Sequence, residues 1–247
     1  VHLAAETHVR YSLEKADIFM DTNVRGTSIL CETIIKYPIK RFIHISSSEV
    51  YGTAQEIPMD EEHPLLPCSP YAGSKAGAER VAYSFYSAYD IPLIILRPFN
   101  NYGPYQHVEK VIPHFIVRAL KNRPLFIHDD GLQTRDWVYV NDHSEAIDSA
   151  VHAPIDKLKG EVINIGTGKD TSILTIAKMI LSFLGKPESL IKYGESRPGQ
   201  VRKHISSTKK SKQLLNWQPR VTIKEGLERT IQWYADNHDW WQNVKKR

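Results

Sequence analysis

Cysteine is nearly absent from this chain of 247 residues: Cys31 and Cys68 are the only two, and they form neither a CxxC pair nor a zinc-type spacing. That excludes a disulfide-built scaffold and a thiolate metal centre, and it points to reduced thiols in a cytoplasmic protein. No metal site is expected. No apolar run reaches the roughly 18 residues that a membrane span needs, and no secretory signal pattern is visible. Neither sign of charge dominates. Lys and Arg number 32 against 28 Asp and Glu, and the resulting +4 is too small and too dispersed for nucleic acid, though it favours an anionic small ligand. What the chain does have is 41% hydrophobic and 24% charged residues, enough for one sizeable core or two small ones.

Strand and helix patterns alternate. Ser28 to Lys36 carries apolar residues at helical spacing and follows a polar stretch, Asp21 to Thr27. Arg41 to Ser46 reads as a short strand, Ala72 to Tyr89 as a helix, and Leu93 to Arg97 as a continuously apolar strand of a central parallel sheet. Val1 to Ala5 reads as the end of a buried strand whose beginning is expected in a preceding segment. Alternating units with short connections predict an α/β fold with a doubly wound parallel sheet. From about Asn101 the texture changes, with Pro104, Pro113, Pro124 and Gly131 as punctuation. Helices are expected at 140–152, 173–184 and 223–238 and a strand at 162–165, forming a smaller mixed α/β lobe over the sheet's carboxyl edge.

Tyr71 and Lys75 are four residues apart, a spacing that stacks them on one helix face. Upstream, the strand Ile45-Ser-Ser-Ser-Glu49 ends in small hydroxyl residues and one acid. A phenol is too weak a base at neutral pH, but a nearby ammonium favours its phenolate. Tyr71 could then take the proton of a sugar hydroxyl held in line by Ser47 while hydride leaves the carbon. Glu49 adds a carboxylate able to remove a proton made acidic by a neighbouring ketone.

Those residues carry a resemblance. Leu3-Ala-Ala-Glu-Thr-His-Val9, Glu49-Val-Tyr-Gly52, Ser69-Pro-Tyr-Ala-Gly-Ser-Lys75, Asn100-Asn-Tyr-Gly-Pro-Tyr105, Arg135-Asp-Trp-Val-Tyr-Val140 and Arg197-Pro-Gly199 stand in order along nearly the whole chain. They are similar to the extended short-chain dehydrogenase/reductases of the NAD-dependent epimerase/dehydratase type, with the dTDP-glucose 4,6-dehydratases nearest in pattern. The resemblance implies a Rossmann-like NAD-binding part over 1–100 and a mainly nucleotide-sugar-binding lobe over 101–247. It implies catalytic roles for Ser47, Ser48, Glu49, Tyr71 and Lys75. NAD would lie along Leu3, Ala4, Ala5, Tyr71 and Lys75. The nucleotide-diphosphate sugar would meet Glu6, His8, Asn100, Glu109, Lys110, Arg135, Asn164 and Arg197. Asn23 is expected to brace the sheet. The helices at 28–36 and 72–89 are apolar on more than one side, and their counterparts in the resembled family form a homodimer interface.

The chain also departs from that pattern. The family's GxxGxxG phosphate turn is not among its residues, and is expected in the preceding segment. Ser47-Ser48-Glu49 stands where the pattern has Thr-Asp-Glu, so the base is kept and the acid is replaced by Ser48. Ser48 would orient a water, or Glu49 would shuttle the proton. Pro124-Leu-Phe-Ile-His128 and Gln200-Val-Arg-Lys-His204 differ where the base should stack, which leaves the base open between thymine, uracil and another nucleobase. Three rival readings stand beside 4,6-dehydration. A 4-epimerase would use the same triad and leave Glu49 idle. A UDP-glucuronate decarboxylase is disfavoured by Ala76 after Lys75. A non-catalytic sugar-nucleotide-binding remnant is the third. Lys209, Lys210 and Lys212 read as a solvated helix start, and Trp233, Trp240 and Trp241 as packing for the last helix.

Overall fold

The computed structural model describes residues 1–195 and 201–244. The chain opens with two short helices, α1 (Val9–Glu14) and α2 (Ala16–Phe19), and a π-helical turn, Met20–Arg25, that runs directly into α3 (Gly26–Lys36). The polar stretch before Ser28 is therefore helical as well. Its interior polar groups are satisfied locally: the Thr27 hydroxyl donates to the Asn23 carbonyl at 2.7 Å. Next come β1 (Phe42–Ile45), a 3-10 turn at Ser48–Tyr51, and α4 (Pro70–Tyr89). Helix α4 starts where it does because Ser69 accepts the Ala72 N–H at 3.1 Å and Pro70 takes the first position. It stops at Asp90, whose φ of 56° is left-handed.

The rest of the chain supplies β2 (Leu93–Pro98), β3 (Asn100–Tyr102), α5 (Val111–Leu120), β4 (Leu125–His128), β5 (Thr134–Tyr139), α6 (Val140–His152) and β6 (Val162–Ile165). It ends with β7 (Asp170–Ser172), α7 (Ile173–Phe183), β8 (Ile191–Gly194), α8 (Lys209–Leu215), α9 (Ile223–Asp236) and α10 (His238–Asn243). Strands β1, β2 and β6 form a parallel sheet in that order, with Phe42 opposite Leu93 and Ile95 opposite Val162. Every residue of β1 and β2 is buried, as a sheet covered on both faces requires. Ile43, Ile94, Leu96 and Ile163 pack under Ala146 and Ala150 of α6. Phe42, Leu93 and Ile95 pack on the other face with Cys31 and Ile34 of α3 and Ala82 of α4. Helices on both faces of a parallel sheet make the fold doubly wound and Rossmann-like.

The expected strand at Val1–Ala5 is reduced to one parallel bridge, His2 to His44, held by His2 N–H to Ile43 O at 2.8 Å and Ile45 N–H to His2 O at 3.1 Å. It is not buried: Val1 and Leu3 are 60% and 59% exposed. A second cluster, around Phe115, Ile116, Trp137, Ile176 and Tyr234, unites α5, β5, α7 and α9. Trp241 belongs to this core, and Trp233 and Trp240 pack against it, as the bland reading of these residues predicts. No helix among the described residues is long and apolar enough to cross a membrane.

Candidate active site

The carboxyl ends of the parallel strands deliver the site residues. The chain leaves β1 through Ser46 and enters the turn that carries Glu49. Ser47 caps that turn by accepting the Glu49 N–H at 3.2 Å. The turn closes at Gly52, whose N–H donates to the Glu49 carbonyl at 3.1 Å. Gly52 has a φ of +68°, and a Cβ there would fall 1.9 Å from the Leu66 carbonyl oxygen, so only glycine fits.

Helix α4 runs behind this turn. Tyr71 lies in its first turn, with the Ser47 hydroxyl near enough to its phenol to favour the phenolate. Burial pushes the Tyr71 phenol up to about 12; the Ser47 hydroxyl pulls it back and the Glu49 carboxylate pushes it further up. The expected lowering of this phenol by Lys75 is therefore not what the protein groups produce. Lys75 instead donates to the Ile45 carbonyl at 2.5 Å, at the mouth of β1. Burial lowers the Lys75 ammonium to about 8, against the opposing pull of Glu79.

Under these groups lies a buried polar network. Glu79 accepts from Arg97 at 3.0 and 2.6 Å and from the Ser46 hydroxyl at 2.7 Å. Arg97 also donates to the Tyr51 phenol at 2.7 Å, and Tyr51 donates to the Asn164 side-chain oxygen at 2.7 Å. The Asn164 amide nitrogen donates to the Met59 carbonyl at 3.1 Å. Asn164, expected on the substrate side, is fully buried with both ends of its amide engaged by protein, so its side chain ties the sheet to the Tyr51 and Met59 segments.

A cavity of about 420 Å³ opens over the turn, with Glu49, Asn100, Glu109, Lys110 and Arg135 in its wall. Arg135 projects from β5; burial lowers its pKa and the Glu49 carboxylate raises it, so the two side chains face one region. Asn100 stands beside β5 through the Asn100–Trp137 pairing, and its buried Oδ1 has no hydrogen-bond partner among the described residues. The Arg135 fork suits an anionic group, and the Asn100 acceptor suits a hydroxyl or N–H donor on the same ligand. Phe126 and His128, in the segment that departs from the family pattern, line the same cavity. Val9 and Val201 complete its apolar wall.

Other expected residues gather around the rim. Glu109 lies 3.7 Å from His8 and 3.6 Å from His107, and Lys110 donates to the Thr7 carbonyl at 3.0 Å. His8 also caps α1 by accepting the Tyr11 N–H at 3.1 Å. Glu6 is fixed through its backbone, donating to Asn23 Oδ1 at 2.8 Å and accepting from Asn23 Nδ2 at 3.1 Å. Asn23 is itself tied to Ser74 at 2.8 Å, which makes it the brace between this loop and α4. Ser48 is buried at 2% exposure and puts no carboxyl group beside Glu49. Arg197 lies outside the described residues. Leu3, Ala4 and Ala5 follow the His2 bridge along the same carboxyl edge as Ser46 and Ser47, and Leu3 and Ala4 are exposed there. These positions, two of them alanines, at the sheet edge that also carries Ser46 and Ser47 fit the nicotinamide half of NAD. Among the described residues no group of three His, Cys, Asp or Glu side chains is placed to hold a metal ion.

A doubly wound sheet, a Ser-Tyr-Lys constellation at its carboxyl edge and a polar cavity beside it define an NAD-using α/β enzyme of the extended short-chain dehydrogenase/reductase class. The comparisons with known proteins narrow this. The family model described as GDP-mannose 4,6 dehydratase matches residues 1–230. The chain is 36% identical over 245 residues to a dTDP-glucose 4,6-dehydratase of Streptomyces niveus, covering 99% of this chain and 72% of that one. The crystal structure of the dTDP-glucose 4,6-dehydratase of Streptomyces venezuelae with NAD bound superposes with a TM-score of 0.94 at 36% identity, covering 99% of this chain and 75% of that chain. A UDP-glucuronic acid 4-epimerase of Bacillus cereus, solved with UDP-glucuronic acid and NAD, gives 0.92 at 32% identity, over 96% of this chain and 74% of that chain. The chain belongs to the GDP-mannose 4,6 dehydratase family, within the NAD-dependent epimerase/dehydratases.

Proposed function

We infer that this protein is an NAD-dependent nucleotide-sugar 4,6-dehydratase, converting an NDP-hexose to the NDP-4-keto-6-deoxyhexose. The observation that carries this reading is Glu49, a carboxylate in the cavity wall next to the Ser47–Tyr71 pair. Dehydratases of the matched family supply the precedent for the reaction.

Tyr71 accepts the proton of the C4 hydroxyl, which Ser47 holds in line; the protein alone keeps this phenol protonated, and the positive charge of an oxidised nicotinamide, added to the buried Lys75 cation on the same helix face, would favour the phenolate that does so. NAD, when bound, supplies the acceptor that holds the C4 hydride until C6 receives it. Leu3, Ala4 and Ala5, with Tyr71 and Lys75, would lie along its nicotinamide half. The C4 ketone acidifies the C5–H, and Glu49 removes that proton. Ser48 is no acid, so Glu49 hands the proton to the C6 hydroxyl as it departs as water. C5 then regains a proton from solvent by way of Glu49, C6 gains the hydride equivalent lost at C4, and the C4 hydroxyl proton passes from Tyr71 to solvent, so water is the only net loss. Asn100, Arg135 and Arg197 hold the diphosphate, with Glu109 and Lys110 also on the nucleotide side and His8 and Glu6 toward the sugar. Residues 1–100 carry the NAD side and 101–247 mainly the substrate side. A cytoplasmic homodimer belongs to the same proposal. Exposed Ile29, Leu30 and Ile35 on α3, with Tyr83 on α4, give it an apolar face, and light scattering of the purified protein tests it.

The 4-epimerase is the second reading, favoured by the similarity to the Bacillus cereus epimerase and by Ser48. Purified protein with NAD, incubated with dTDP-glucose and with UDP-glucose, decides between them. A product lighter by one water supports dehydration. Unchanged mass with a galacto-configured sugar makes the protein an epimerase.

A further inference from the structure

His204 is fully buried and lies in a segment sewn to both of its neighbours. The Thr134 N–H donates to the Arg202 carbonyl at 3.0 Å on one side, and the Met59 N–H to the Ile205 carbonyl at 2.7 Å on the other. Between these ties, His204 Nε2 sits 2.6 Å from the Gly52 carbonyl oxygen. A carbonyl only accepts, so Nε2 carries the hydrogen. Burial keeps the ring neutral, outweighing the nearby Glu49 carboxylate, which favours its charged form. Phe99 stands nearly edge-on to the ring, at 5.9 Å between centroids and 65° between planes.

The bonded carbonyl belongs to the residue that closes the Glu49 turn. Gly52 donates to the Glu49 carbonyl at one end, and Ser47 holds the Glu49 N–H at the other. The turn is thus pinned at its start by Ser47 and at its close by a side chain 152 positions further along the chain. The Gly52 backbone is in a conformation that only glycine adopts easily, and such a conformation persists only when its surroundings hold it.

We propose that His204 is a positioning residue for the elimination step: through its bond to Gly52 it holds the turn that aims Glu49 at C5. The proposal rests on the dehydratase reading. It assigns His204 no proton transfer, so a neutral side chain with its N–H in the same place replaces it.

The test compares wild type, His204→Phe and His204→Gln, each with NAD and with dTDP-glucose or UDP-glucose, whichever the wild type dehydrates. The Gln amide places an N–H close to where Nε2 stands. His204→Phe should lower kcat by about tenfold to hundredfold, with KM held within about twofold because the cavity's diphosphate groups are untouched. Substrate deuterated at C5 should show a larger isotope effect in His204→Phe than in wild type, while substrate deuterated at C4 should not. His204→Gln should recover most of kcat and the wild-type isotope effect at C5. Thermal unfolding of each variant separates misfolding from misplacement. A His204→Phe enzyme with wild-type kcat, or one whose isotope effects at C4 and C5 change together, overturns the proposal. So does a folded His204→Gln enzyme as slow as His204→Phe, which would show that the imidazole itself transfers protons. If the wild type releases no water from either sugar nucleotide, the dehydratase reading falls and takes this inference with it.

Discussion

The Arg97 guanidinium grips the Glu79 carboxylate through two hydrogen bonds of 3.0 and 2.6 Å, and both side chains are almost wholly buried. Glu79 lies one helical turn beyond Lys75, so this pair forms the floor beneath the catalytic helix. Arg97 holds the Glu79 carboxylate below its usual range despite burial. Glu79→Gln leaves a buried guanidinium without its counter-charge, a loss of about 3–5 kcal/mol. Urea unfolding should show that loss. Double replacement of Glu79 and Arg97 by apolar residues should cost less than the single change, because no orphan charge remains.

His44 sits in β1 with 1% of its surface exposed, and burial pushes its imidazole down to about 3. The Lys75 ammonium and His2 press the same way, and Glu79 opposes them. Its folded pKa lies below the unfolded value, so the unfolded chain binds the extra proton first. Stability is therefore full above about pH 6.5 and falls as pH drops toward 3, by at most about 1.4 kcal/mol per pH unit for this one proton. His44→Phe should flatten that acid limb in unfolding measured from pH 7 to pH 4. An unchanged limb would show that His44 is not responsible.

Arg135 faces Glu49 across the cavity. Its planar fork suits a diphosphate better than a lysine does. Arg135→Lys should raise KM for the sugar nucleotide about tenfold and leave kcat within a few-fold. Affinity for the free nucleoside diphosphate, measured by calorimetry, should fall in parallel. A change in kcat alone would move Arg135 from binding to chemistry.

Much of the scaffold was legible in the sequence because its signals are local. Ser69, Pro70 and an alanine-rich stretch announce α4, and the unbroken apolar run Leu93–Leu96 announces a covered strand. The expected spans at 140–152 and 162–165 coincide with α6 and β6. The π-helical turn at Met20–Arg25 was not legible, since its polar residues carry no apolar helical period and their satisfaction inside, as at Asn23 and Thr27, is seen only in the fold. Asn164 shows the matching limit in the site. A polar residue at a strand's end suggests a ligand contact, and only the folded chain reveals that Tyr51 and Met59 already occupy its amide. His204 stood out in the sequence only as part of Gln200–His204, where the base should stack; its bond to Gly52 gave no local signal, because that partner is remote in sequence.

Removal of the C5 proton by Glu49 is read out by turnover in deuterated water. The wild type should release a 4-keto-6-deoxy product carrying one deuterium at C5. Glu49→Gln should lose water release by at least about a hundredfold, and C5 exchange with it, while still binding the sugar nucleotide. A Glu49→Gln enzyme that releases water and labels C5 at the wild-type rate would contradict the account.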